Sequence, residues 1–319
     1  MATRPGVTVL RSWSLVLGLY LACPAAAAAQ TTQLLVITGV GGDPAHTKKF
    51  DELATRFINA AKKTNGVTDA SLTYLAEKTA TKANVEKAFA DIAGRARPTD
   101  QVVVLLIGHG SSPDPRTGAF NIMGPDLTAD DYAVLLSKLP TQTVVFVNTA
   151  SASGVFLPAL AGKGRIVVTA TRTGRENIET RFPKFFVEAY EDTAADRDRN
   201  GRVSVLEAFD YAKAMVAKEF EQEGHLATEH ATIDDGSDGT LASTIFLASG
   251  AAQAASNFDL SNPEVKPLLD KRDTLEQQVA GLRLRKDGMN PDEYDTQLEK
   301  LLIELAQTSQ ALQKFEVRK

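Results

Sequence analysis

The chain has 319 residues, and its 35 Lys and Arg against 40 Asp and Glu leave a net charge of −5, which argues against the basic footprint of a nucleic-acid-binding protein. Apolar residues make up 43% and charged residues 24%, the balance of an ordinary globular protein with length for one large core and an appendage. The single cysteine, Cys23, rules out a disulfide within the chain.

The N-terminus carries Arg4 and Arg11, an apolar stretch from Leu15 to Ala22, and an alanine run with an A-x-A site at Ala27 and Ala29. This is the pattern of a secretory signal peptide over residues 1–29; the stretch is too short for the roughly 20 residues of a spanning helix. Cleavage after Ala29 removes Cys23. Leu21-Ala22-Cys23 also admits a lipoprotein signal, which Tyr20 fits poorly. The expectation is an exported protein, periplasmic or secreted, whose mature part holds no free thiol and no transmembrane helix.

From Gln33 onward strand and helix signals alternate. Gln33–Thr38 is a short β-rich run closed by Gly39-Val-Gly-Gly42, and Asp43-Pro44 opens a helix with Phe50, Leu53, Ala54 and Phe57 on one face. Leu72–Leu75 reads as a strand, Thr81 starts a helix with Val85, Ala88, Phe89 and Ile92, and Gln101–Ile107 is a strand buried on both faces. Leu127–Leu139 reads as helix, Thr143–Val147 and Arg165–Ala170 as two more buried strands. The alternation predicts an α/β fold over residues 30–256, a mostly parallel sheet with helices on both faces. Functional residues in such sheets gather at the carboxyl ends of the strands.

Two strand ends stand out. Ile107 is followed by Gly108-His109-Gly110-Ser111-Ser112, and Val147 by Asn148-Thr-Ala-Ser151-Ala-Ser153-Gly154. A histidine between glycines and a hydroxyl in a small-residue turn form a minimal base–nucleophile pair if they meet. The backbone N–H groups of Gly110 and Ser151 are candidates for an oxyanion hole. The competing reading is a histidine-containing turn and a serine-rich helix cap.

The order strand–His109-Gly110, then strand–Ala150-Ser151-Ala152-Ser153-Gly154 about forty residues on, resembles the catalytic core of the legumain-like and caspase-like peptidases. Ile166–Ala170 also resembles the following strand of the legumain branch, and the likeness runs from Leu34 to Gly250. It implies a caspase–hemoglobinase-like three-layer sandwich with His109 as base and position 151 as nucleophile. The family's cysteine is here Ser151, and the legumain glutamate before Ala-Cys is here Thr149, so specificity does not carry over. A hydroxyl needs concerted deprotonation where a thiol does not, and serine peptidases orient the base with a buried carboxylate. No such residue can be assigned from the sequence. Three readings stay open: an active serine variant, a non-catalytic homologue binding a peptide or protein in the cleft, and a hydrolase of another bond.

Asp196-Arg-Asp198-Arg-Asn200-Gly201-Arg202-Val203-Ser204-Val-Leu-Glu207 matches a calcium-binding EF-hand loop. Asp196, Asp198 and Asn200 stand at positions 1, 3 and 5, Gly201 at the sharp turn, and Arg202 offers its backbone carbonyl. Ser204 stands at position 9, and Glu207 closes the loop. Helices are expected from Phe185 to Thr193 before it and from Ala208 to Glu223 after it. A weak, structural Ca2+ site is the expectation. Asp234-Asp-Gly-Ser-Asp238-Gly239 is either a second cation site or a turn before a strand-like Ser243–Leu247, and no spacing of the four histidines suggests zinc. Residues 257–319 read as a helical hairpin, an antiparallel coiled coil, with Lys286–Pro291 as the turn. The hairpin either docks as a structural arm or binds a protein partner.

Overall fold

The computed structural model describes residues 31–315, except 66, 115, 140–142, 192, 237–240, 248–257 and 284. The signal segment with Cys23, the turn residues Asp238 and Gly239, and the domain boundary expected at 256/257 lie outside the described residues.

Strands β1 (Thr32–Thr38), β3 (Gln101–Ile107), β7 (Thr143–Asn148) and β8 (Arg165–Thr169) lie parallel in that order. β2 (Leu72–Leu75) adds parallel to β1, and β9 (Thr232–Asp234) adds antiparallel to β8, giving the order β2-β1-β3-β7-β8-β9. Side chains alternate across a strand, and both faces here are apolar. Leu34, Val103, Val145 and Ile166 lie in one core with α1 (Pro44–Asn65), α5 (Phe182–Glu191) and α6 (Val205–Gln222). Leu35, Val104, Phe146 and Val167 lie in the other with α2 (Lys82–Arg95), α3 (Ala129–Leu136) and α4 (Phe156–Leu160). The α/β architecture with helices on both faces is therefore as expected. Because α1 and α2 cover opposite faces, the winding reverses between β1 and β3. A crevice opens outside the carboxyl ends of strands at such a point.

Caps set the helix starts. Asp43 Oδ1 accepts from Ala45 N at 2.8 Å and His46 N at 3.0 Å, with Pro44 at the first helical position. Leu127 and Thr128 are not helical as expected. They form β6 (Leu127–Thr128), because Leu127 pairs with Phe120 and Thr128 is the cap, accepting from Asp131 N at 3.1 Å. A second small sheet joins β6 to β5 (Thr117–Phe120) and β4 (Gly110–Asp114). Ser243–Leu247 is no strand either: residues 241–244 turn, and Phe246 makes a single bridge to Ser204 while Ile245 O accepts from Val205 N at 2.9 Å. That segment covers the start of α6.

The C-terminal hairpin pairs α7 (Val265–Arg283) with α8 (Pro291–Gln313), capped by Asn290. Phe258, Val265, Leu269 and Leu312 form its own small core. Polar contacts join it to the α/β domain. Arg202, 3% exposed, pairs with Glu276 of α7 and lies 3.7 Å over the Phe246 ring. Gln313 Nε2 donates to Arg199 O at 3.0 Å. No helix among the described residues is long and apolar enough to cross a membrane.

Phe146 is fully buried, with ring centroids of Tyr132 and Phe156 at 5.2 and 6.3 Å. Phe146→Ala should lower the unfolding free energy by about 3–5 kcal/mol in urea titration.

Candidate functional site

The crevice begins where β1 and β3 end. Gly39 N donates to Ile107 O at 2.9 Å, and a Cβ on Gly108 would lie 3.0 Å from Gly39 Cα, so the two chains touch backbone to backbone as they leave the sheet. Beyond them a Cβ on Gly110 would lie 2.3 Å from Ser151 O. Only glycine permits that approach. The turn after β7 is thereby pressed against the chain after β3, and positions 109–110 and 151 are neighbours as the sequence suggested.

Ser151 sits in a turn whose next residue, Ala152, has a left-handed backbone with φ 54°. Such a conformation is unfavourable for alanine and persists where surroundings hold it; here Ala152 N donates to Glu176 O at 2.8 Å. The Ser151 hydroxyl donates to Gly110 O at 3.1 Å and accepts from Gly110 N at 3.3 Å, and Ser151 is 5% exposed. The Gly110 N–H, one of the expected oxyanion donors, is thus turned onto Ser151 itself. His109 is half-buried, and among the described residues its ring makes no hydrogen bond, to Ser151 or to any other group. Its ring packs between those of Phe50 and His46, with both centroids at 5.1 Å. Thr149 is buried and bonds to Leu106 O at 2.7 Å rather than lining the cleft.

His46 was not singled out by sequence reasoning. It stands in the first turn of α1, where the Asp43-Pro44 cap places it beside His109. Its Nδ1 lies 2.5 Å from Asp43 Oδ2 and its Nε2 lies 3.3 Å from Glu179 Oε2. The hydrogen bond to Asp43, then that to Glu179, raises the imidazole above its ordinary value. Glu179 also receives Lys49 Nζ at 2.8 Å. The sequence signal for this cluster was only the cap itself, since Glu179 lies 133 positions away. The other two histidines stand elsewhere, His230 against Glu176 and His225 against Glu223.

The loop from Asp196 to Glu207 folds around its own carboxylates. One oxygen each from Asp196, Asp198 and Glu207 lie within 4.8 Å of one another, the only such group of metal-ligand side chains among the described residues. Asp196 accepts from Asn200 N at 3.0 Å and Gly201 N at 2.8 Å, and Asn200 Oδ1 accepts from Arg202 N at 2.8 Å. Gly201 takes φ 80° at the turn position. Ser204 and Glu207 cap α6 reciprocally, with Ser204 Oγ donating to Glu207 Oε2 at 2.8 Å. Burial, with the Asp198 and Glu207 charges adding to it, pushes Asp196 up to about 6. Of the acidic run, Asp234 ends β9 and accepts from Gly236 N at 3.0 Å, and Asp235 is buried and accepts from Ala242 N at 2.8 Å.

A separate concavity of about 940 Å³ runs along the other flank of α1, lined by Val40, Asp43, Lys48, Asp51, Arg56 and Glu77 among others. Neither His109 nor Ser151 lines it. The chemistry-bearing groups and this volume share only the Asp43 end of α1.

No protein-family model matches the chain, and no curated protein matches it. A solved structure, the protein GSU0716 from Geobacter sulfurreducens, is similar over 64% of this chain and 92% of that one, at 13% identity and a TM-score of 0.43. A likeness that distant bears on neither function nor site.

Glu229, 5% exposed, holds the start of α5 by accepting from Arg181 N at 2.7 Å and Phe182 N at 3.2 Å. Burial outweighs those bonds and pushes it up to about 7. A carboxyl whose folded pKa is raised contributes stability fully below its unfolded value, and loses it as pH rises through about 7. Urea titration between pH 5 and 8 should show stability falling by on the order of 2 kcal/mol more in the native chain than in Glu229→Gln.

Proposed function

We propose that this chain is an exported homologue of the legumain-like and caspase-like peptidases that binds a peptide or protein segment in its cleft without cleaving it. The engagement of Ser151 carries the reading. Its hydroxyl spends both its proton and a lone pair on the Gly110 backbone, is nearly sealed from solvent, and has no bond to His109. A serine nucleophile needs a base within hydrogen-bond reach, and among the described residues no carboxylate bonds to His109, while Asp43 pairs with His46. What remains open at the strand ends is recognition chemistry: the half-buried His109 and the charged group of His46, Asp43, Lys49 and Glu179. The left-handed turn at Ala152 favours a second reading, a serine hydrolase whose hydroxyl swings toward His109 when substrate binds. Hydrolysis of a mixed peptide library decides between them. Native protein and Ser151→Ala should give equal background rates, and a native rate clearly above that of the variant would overturn the binding reading.

The loop is read as a weak structural calcium site. Asp196, Asp198, Asn200, the Arg202 carbonyl, Ser204 and Glu207 supply the oxygens, with a Kd on the order of 10⁻⁴ to 10⁻³ M. The convergence of three carboxylates supports it. Millimolar calcium should raise the melting temperature by about 2–4 °C, and Glu207→Gln should abolish the rise. A melting temperature indifferent to calcium would sink the site.

A further inference from the structure

Between β8 and α5 the chain crosses from the Ser151 turn to the N-terminal end of α1. Buried hydrogen bonds fix both ends of this crossing: Gly154 N donates to Thr171 Oγ1 at 2.9 Å, and Thr180 Oγ1 donates to Thr149 O at 2.6 Å. Two glutamates hold the part between. Glu176 takes Ala152 N on its carbonyl at 2.8 Å, and its carboxylate takes Arg172 N at 3.0 Å, His230 N at 2.9 Å and His230 Nδ1 at 3.2 Å. Glu179 reaches α1 through Lys49 and His46. Ile178, between the two ties, is 57% exposed. Polar contacts, rather than burial of its one large apolar side chain, therefore hold the middle of the segment.

We propose that residues 172–179 are a proton-controlled strap over the Ser151 side of the cleft, fastened while His46 carries both ring protons and loosened when one is lost. His46 has a carboxylate at each ring nitrogen, and both nitrogens donate together only in the imidazolium form. When a proton leaves, one N–H remains. Asp43, at 2.5 Å against 3.3 Å for Glu179, keeps it. The bare Nε2 lone pair then faces the Glu179 carboxylate, and an attraction becomes a repulsion. Lys49 still holds Glu179 by one bond, so the strap loosens without being torn away. Both carboxylates raise the His46 imidazole above its ordinary value. The groups facing His46 are Asp43 from the turn before α1, Glu179 from the strap and His109 from the end of β3. At the second tie, Glu176 faces His230, whose neighbour Glu229 holds Arg181 at the strap's downstream end. Pairs this exposed are individually weak, which suits a segment that opens while the domain stays folded. Its role in admitting a peptide rests on the binding reading of the cleft; its motion does not.

Amide hydrogen exchange of the mature protein from pH 5.5 to 8.5, corrected for intrinsic rates, reads the strap directly. Protection over 172–179 and at Ala152 should fall several-fold with rising pH, and in Glu229→Gln, which lacks the carboxyl that lowers global stability over this range, β3 and β7 should stay protected. In Glu179→Gln the amide can accept from Nε2–H or donate to bare Nε2, so the response should flatten with low-pH protection retained. Glu229→Gln, which removes the buried carboxyl raised to about 7 at the start of α5, should leave the strap response intact. A pH-independent strap, a response that survives Glu179→Gln or vanishes in Glu229→Gln, or parallel loosening of β3 and β7 in Glu229→Gln would each overturn the proposal. An intact response in a protein that binds no library peptide would sink the cleft reading alone.

Discussion

Every residue of β3 from Gln101 to Ile107 is at most 4% exposed, and the rest of the molecule is arranged to keep it so. A strand covered on both faces and paired on both edges has no solvent to satisfy its backbone, so its hydrogen bonds must come from parallel neighbours and its side chains must meet helices above and below. α1, α5 and α6 supply one cover and α2, α3 and α4 the other. The chain can emerge only at the strand ends. There β1, β3 and β7 deliver three loops into one small space, and glycines at 39, 108 and 110 let backbone touch backbone. The cleft is a by-product of that crowding, as is the engagement of Ser151.

Local patterns were legible in the sequence. Asp43-Pro44 and Thr81 announce helix starts because a cap acts within one turn, and the loop from Asp196 to Glu207 can be read because its spacing is self-contained. What stayed hidden is non-local. β4 and β5 run through polar, glycine-bearing residues with no alternating pattern, and they exist because Gly110 and Phe120 happen to pair. β9 has three residues, too few for any periodicity. Leu127 looked helical until Phe120 claimed it as a strand partner. At the site the sequence set Gly110 and Ser151 at neighbouring strand ends and the structure brings these two into contact, but the direction of one hydroxyl depends on how closely two backbones approach. The partner of His46 depends on a glutamate on the far side of the sheet's connections.

The loop between α5 and α6 faces two ways. Its carboxylates turn inward on one another, whereas Arg202 turns away from them onto Phe246 and Glu276 and ties the loop to the hairpin. Stripping one member from a buried charge pair of this kind costs far more than the pair itself contributes, because the survivor is left without compensation. The hairpin's own core is small and would be marginal alone. Its order is therefore borrowed from a loop whose shape is governed by Asp196, Asp198 and Glu207.

The two bonds between Ser151 and Gly110 also decide how the cleft looks to an electrophile. A serine-directed phosphonylating or acylating reagent meets an oxygen with its proton given to one backbone group and a lone pair to another, behind a nearly closed surface. The imidazole of His109, half-buried and without a hydrogen-bond partner among the described residues, is the more available nucleophile, and those residues hold no thiol. Covalent probes for this cleft are therefore better built for histidine than for serine, and the pattern of labelling would itself report whether the Ser151 hydroxyl stays engaged.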